Sequence, residues 1–163
     1  MPAARRSLFV VAAAVVVLDQ LTKTWAVNAL ARGRVIDVVW TLRFSLGFNS
    51  GMAFSKATGY GPLIGVLATV VVVWLLVSLR RADSFGSALG VALVTGGAAG
   101  NLLDRVFRGR GWMHGSVVDF IDLQWWPVFN IADSAITIGG LMLVIGAFRT
   151  PKAAADSPKA VGR

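Results

Sequence analysis

No cysteine occurs anywhere in the 163 residues, histidine occurs once, at position 114, and every acidic side chain is aspartate. The first absence excludes disulfides, thiol nucleophiles and thiolate metal sites. The second argues against a histidine-rich metal centre. Charge is scarce as well: 15% of residues are charged and 56% are hydrophobic, which removes the chain from the ordinary soluble class. What remains is apolar, and a mean hydropathy of +0.70 points to a membrane protein. The 16 basic residues against eight acids leave a formal charge of +8. In a soluble chain that excess would suggest nucleic acid. Here the basic residues fall mainly between apolar stretches, so membrane lipids, with their anionic headgroups, are the expected partner and nucleic acid is not.

Four apolar segments, about Ser7 to Leu30, Gly61 to Leu79, Phe85 to Leu103 and Ile131 to Phe148, approach the roughly 20 residues that span a hydrocarbon core. Arg5 and Arg6 precede the first, Arg80 and Arg81 fill the short link between the second and third, and Arg149, Lys152, Lys159 and Arg163 follow the fourth. Positive charge in short loops stays inside, so both termini and that link are expected on the cytoplasmic side. Residues 1–150 would form one membrane domain and 151–163, with Pro151, Pro158 and several alanines, a disordered cytoplasmic tail. Arg5-Arg6, the run Leu8 to Leu18 and Ala29-Leu30-Ala31 imitate a cleavable signal peptide. Asp19 and Lys23 lie between run and mock cleavage site, and a retained helix gives them a use.

Between the first two segments, Trp40, Leu42, Phe44, Leu46 and Phe48 alternate with Thr41, Arg43, Ser45, Gly47 and Asn49. Period two marks a strand with one apolar face, lying along the membrane surface or packed as a hairpin on the protein. Asn49-Ser50-Gly51 ends it as a turn. Gly86 with Gly90 and Gly96 with Gly100 give the third segment two small-residue spacings suited to close helix packing.

This topology gathers polar groups at the outer interface. Asp19 lies in the outer half of the first span, Asn101, Asp104 and Arg105 end the third, Asn130 and Asp133 begin the fourth, and the joining loop carries Asp119 and Asp122. Each has a plainer role open to it. Asp19 and Lys23, at i and i+4, can neutralise each other. Asp104 and Arg105 read as an interfacial charge pair. Asn130 suits a helix N-cap, with Asp133 in the first turn. Asp119, within Val117-Val118-Asp119-Phe120, needs a partner.

A nucleophile–base pair is poorly supplied, since cysteine is absent and His114 lies in the loop Trp112-Met113-His114-Gly115-Ser116. Two carboxylates are the simplest complete apparatus: close like charges share one proton and so present a base and an acid together. A small transporter, whose intramembrane acids mark an ion path, and a non-catalytic scaffold held by the glycine-rich helix are the competing readings.

Five segments then resemble one family, the lipoprotein signal peptidases (signal peptidase II): Leu18-Asp19-Gln20-Leu21-Thr22-Lys23, Asn49-Ser50-Gly51-Met52-Ala53-Phe54-Ser55, Gly100-Asn101-Leu102-Leu103-Asp104-Arg105, Val117-Val118-Asp119-Phe120 and Phe129-Asn130-Ile131-Ala132-Asp133-Ser134. The resemblance implies an all-α integral membrane fold of four transmembrane helices with a small extracytoplasmic β element and surface loops. It implies Asp119 and Asp133 as catalytic pair. Asp19, Lys23, Asn101, Asp104, Arg105, Asn130 and Ala132 would support or bind near them, and Asn49 and Gly51 would contact substrate. The implied reaction is hydrolysis of a prolipoprotein signal peptide before a diacylglyceryl-modified cysteine, with no metal or other cofactor. The setting would be a monomer in the bacterial inner membrane, with the site near the extracytoplasmic face and Trp40, Trp112, Trp125 and Trp126 anchoring the outer loops.

Overall fold

The computed structural model describes residues 2–50, 61–79, 85–109, 111 and 113–149. Expectations placed on Gly51 to Phe54, Arg80, Arg81, Trp112 and the tail after Arg149 lie outside them. Four helices and three strands follow in the order α1 (Pro2–Ala29), β1 (Ile36–Val39), β2 (Leu42–Asn49), α2 (Gly61–Leu79), α3 (Phe85–Phe107), β3 (Val117–Asp122) and α4 (Ile131–Arg149). Three stretches among the described residues are long and apolar enough to cross a membrane: Ser7–Ala29, Phe85–Phe107 and Ile131–Phe148.

The helix α3 is the hub, packing on α1, α2 and α4. Small residues make that possible. A Cβ at Gly96 would stand 2.7 Å from the Ala12 carbonyl oxygen of α1, and one at Gly90 would stand 3.0 Å from that of Gly139 in α4. Gly86, by contrast, faces open space, so only one member of its expected pair packs closely. On α1 the buried positions Leu8, Ala12, Asp19, Lys23 and Ala26 recur at steps of three, four or seven, a single stripe of a helix. Its first part is apolar. Its second part carries Asp19 and Lys23 into the interior.

The strands form an antiparallel sheet in the order β1-β2-β3, with Gly47 opposite Asp119 and Asn49 opposite Val117. Phe120 of β3 packs with Ala26 and Leu30 at the end of α1, and Trp25 meets the Phe44 ring edge-on at 5.3 Å. The sheet therefore covers the end of the bundle where α1 and α3 finish and α4 begins. The expected strand is β2. Trp40, counted in its alternation, instead stands in the turn after β1 with φ of 57°. A left-handed backbone there breaks the strand's period and leaves the indole fully exposed.

Candidate active site

Asn130 is the N-cap of α4, and Asp133 is its third residue. The Asp133 N–H donates to Asn130 Oδ1 at 2.9 Å, and the Asn130 N–H donates to Asp133 Oδ2 at 3.2 Å. This reciprocal pair is a capping box, with Asp in place of the usual Glu. The cap does a second job. With its oxygen committed to the helix, Asn130 turns its amide nitrogen outward to Asp119 Oδ1, 2.6 Å away, and to Asn101 Oδ1 and the Val118 carbonyl, each at 3.2 Å. Asn101 of α3 donates from Nδ2 to Asp133 Oδ1 at 2.8 Å. Two carboxylates on different elements are thus joined through Asn130, with Asn101 on the second of them.

Beneath them lies a buried charged layer. Lys23 reaches Asp19 at 2.8 Å, Asp104 at 2.9 Å and Asn101 Oδ1 at 2.8 Å. Asp19 accepts the Ala132 N–H at 3.0 Å, and Asp104 accepts the Val118 N–H at 3.1 Å. The first bond ties α1 to α4; the second ties α3 to β3. Gln20 adds bonds to the Gly100 carbonyl and to Asp104, both at 3.1 Å. At Gly100 a Cβ would come within 2.6 Å of Asp19 Oδ2, so glycine there leaves room for the layer.

Several expected groupings change. Asp19 and Lys23 do neutralise each other, and Asn130 does cap α4. Asp104, however, does not pair with Arg105: it binds Lys23 and, at 2.7 Å, Arg108. Adjacent residues on a helix point about 100° apart, whereas i and i+4 share a face. Arg105 donates instead to the Asn101 carbonyl at 3.2 Å. Asp122 stands apart from the other four acids, held by Arg43 at 2.7 Å and Ser45 at 3.0 Å. The hydrogen bond from Arg43 holds its carboxyl below the usual carboxylate range. Gln20 and Arg108 were missed as supports. Helical spacing signals both, Gln20 lying beside Asp19 and Arg108 lying four residues after Asp104.

Burial pushes the Asp119 carboxyl up to about 6, and the Asp133 charge pushes the same way. The Asn130 and Asn49 amides and the Lys23 charge oppose this. The folded chain therefore holds this proton more tightly than the unfolded chain does. The resulting penalty is absent below about pH 4, grows as pH rises and is complete above about pH 6. Asp119→Asn, neutral at every pH, should raise the unfolding midpoint in detergent by roughly 3–6 °C at pH 8 and by nothing measurable at pH 4. A gain of equal size at both pH values would contradict the buried acid.

Beside Asp133 opens a cavity of about 400 Å³ lined by Trp125, Trp126, Phe129, Thr137 and Ile138. It places an apolar wall against one carboxylate of the pair.

The family model described as "Signal peptidase (SPase) II" matches residues 11–149. The chain belongs to the signal peptidase II family, which is of the aspartic peptidase class. It is 43% identical over 145 residues to the lipoprotein signal peptidase of Mycobacterium leprae, covering 88% of this chain and 72% of that protein. It is 46% identical over 140 residues to that of Mycolicibacterium smegmatis, covering 85% and 60%. A solved structure described as a bacterial membrane enzyme, determined by the in meso method at 2.3 Å resolution, superposes with a TM-score of 0.78 at 27% identity, covering 94% of each chain. The fold is mostly helical with a small sheet, and the chain is a bacterial membrane protein.

Proposed function

We propose that this chain removes signal peptides from prolipoproteins, hydrolysing the bond on the N-terminal side of a diacylglyceryl-modified cysteine, with Asp119 and Asp133 as its catalytic carboxylates. The observation that carries the pair is their joint hold on Asn130, which donates to Asp119 from its side chain and to Asp133 from its backbone. Asp133 also borders the open apolar cavity. One carboxylate draws a proton from water as it attacks the scissile carbonyl. The other, protonated, hydrogen-bonds the carbonyl oxygen, and the leaving amine is protonated as the intermediate collapses.

The membrane arrangement completes the reading. α2 has 19 residues, about 28 Å of helix, and serves as the fourth span beside the other three. The Arg-bearing link after α2 and both termini are cytoplasmic, with 1–150 as the membrane domain and 151–163 as a cytoplasmic tail. The site then faces the extracytoplasmic interface of the inner membrane. Trp40, Trp125 and Trp126, which are 100%, 70% and 59% exposed, lie at headgroup level. The enzyme acts as a monomer among membrane lipids. Asn49, whose side chain hydrogen-bonds Asp119, and Gly51 beyond it border the substrate. Ala132 offers its N–H to Asp19 and holds the start of α4 in place.

The test uses purified enzyme in detergent with two precursors that differ only in diacylglyceryl modification of the cysteine. The modified precursor is expected to be cut immediately before that cysteine, and the unmodified one at least about 100-fold more slowly in kcat/KM. Equal rates on both would reduce the chain to a general peptidase.

A further inference from the structure

The polarity of the hydrogen bonds around Asp133, and of the bond from Asn130 to Asp119, can be fixed from groups that have no choice. An ammonium offers only donors. The Asn101 atom 2.8 Å from Lys23 Nζ is therefore the amide oxygen, and the Asn101 nitrogen must face Asp133 Oδ1, 2.8 Å away. From the other side, the Asp133 backbone N–H takes Asn130 Oδ1, which turns the Asn130 nitrogen to Asp119. The Asn130 backbone N–H occupies Asp133 Oδ2 at 3.2 Å. Both oxygens of Asp133 thus meet N–H donors, in the first turn of a helix, where peptide dipoles favour negative charge. A proton on either oxygen would point at a donor.

Asp119 is placed differently. It accepts from the Asn130 side chain and is hydrogen-bonded by that of Asn49, but it lies on a strand, away from any helix N-terminus, and is only 4% exposed. The charged groups facing it are Lys23 from α1, Arg105 from α3 and Asp133 from α4, while β2 contributes the neutral Asn49.

We infer that Lys23 is a positioning residue of the reaction: by fixing the amide of Asn101 it makes Asp133 the carboxylate of the pair and leaves the shared proton on Asp119. The inference rests on the proposed dyad and assigns the roles within it. The upward push of burial on the Asp119 carboxyl agrees. Asp133 takes one proton from water as the water oxygen bonds to the scissile carbon, and Asp119 gives its proton to the carbonyl oxygen. When the C–N bond breaks, Asp133 returns its proton to the nitrogen and a hydroxyl of the diol returns one to Asp119. The cycle closes with both groups as they began.

Lys23→Met removes the donor and keeps most of the stem. The Asn101 oxygen then keeps only the longer bond from the Asn130 amide nitrogen, 3.2 Å, and the amide can turn that oxygen to Asp133, which requires a proton there. The expected result is a kcat lowered about 30-fold with KM within about twofold, and an acid limb of the kcat profile moved up by about one pH unit. Lys23→Arg, which also offers only donors, returns the limb to the wild-type position. The limb's position does not depend on the fraction of enzyme that is folded. A lysine with a purely structural role would therefore lower the rate and leave the limb in place, which overturns the inference.

Should Lys23→Met fail to fold, Asn101→Leu breaks the same link with the Lys23, Asp19 and Asp104 contacts intact, and the limb should move the same way. The wild-type enzyme gives a direct reading besides: carboxyl 13C resonances of labelled aspartate, assigned with Asp119→Asn and Asp133→Asn, should show the proton on Asp119 at pH 5.5. A proton on Asp133 overturns the inference even if both Asn variants are inactive. Activity in those variants would instead sink the dyad itself.

Discussion

Asp119→Asn and Asp133→Asn are each expected to lower kcat on a lipid-modified precursor by about a thousandfold or more while the helices remain folded. The amide keeps the size of the carboxyl and loses the capacity to take or share a proton. The two variants should differ in stability, because the two carboxyls are held differently. Asp119 receives the Asn130 side chain at 2.6 Å, and an amide oxygen accepts that bond equally well. Asp133 accepts Asn101 at one oxygen and the Asn130 backbone at the other, so its amide must turn a nitrogen toward one of these donors. The capping box then loses a bond, at a cost of about 1 kcal/mol. Combining both substitutions should lower the rate little further, since the carboxyls act as a unit. Initial rates in detergent, beside thermal unfolding of the same preparations, decide the matter. Full activity in either variant removes the dyad.

How far the sequence foretells this site depends on which residues are asked. The helices were legible because apolar length is a local property: Gly61 to Leu79 and the start of α3 at Phe85 fall where hydropathy puts them. The end of α3 was not. Asp104 and Arg105 read as charged residues leaving the membrane, yet the helix runs to Phe107 with Asp104 fully buried. Arg108, four residues on, supplies part of the compensating charge, but the buried part comes from Lys23, 81 positions earlier, and no local signal reports a partner that distant. β3 shows the same limit. Val117 to Asp122 was seen to need a partner for Asp119, but its pairing with β2 and the single bridge from Ile121 to Phe129 are long-range facts. β1, with four residues, is too short to show a period. Of the five acids collected by topology, chemistry could not tell the buried support of Asp19 and Asp104 from the pair at the cavity. The hydrogen-bond polarities separate them, because the acids of the lower layer face donors that hold elements together.

Asp104→Leu is expected to cost about 3–5 kcal/mol of stability and to remove activity with it, although Asp104 never meets substrate. All its acceptor capacity is spent inside the fold. Oδ1 takes Arg108 at 2.7 Å and Gln20 at 3.1 Å; Oδ2 takes Lys23 at 2.9 Å and the Val118 N–H at 3.1 Å. No lone pair is left for water, which distinguishes it from the catalytic pair. Removing the carboxylate leaves the Val118 N–H without an acceptor in a fully buried position, one residue before Asp119. Lys23 keeps Asp19 and Arg108 is partly open to solvent, so the loss falls chiefly on the link between α3 and β3. The strand loosens, and Asp119 moves away from Asn130. Asp104→Asn, which retains one oxygen, should lie between wild type and Leu. An unfolding midpoint lowered by about 10 °C in detergent, with faster amide exchange across Val117 to Phe120, is the expected signature. A Leu variant within about 1 kcal/mol of wild type would show that β3 is held from elsewhere, by the Phe120 packing on Ala26 and Leu30.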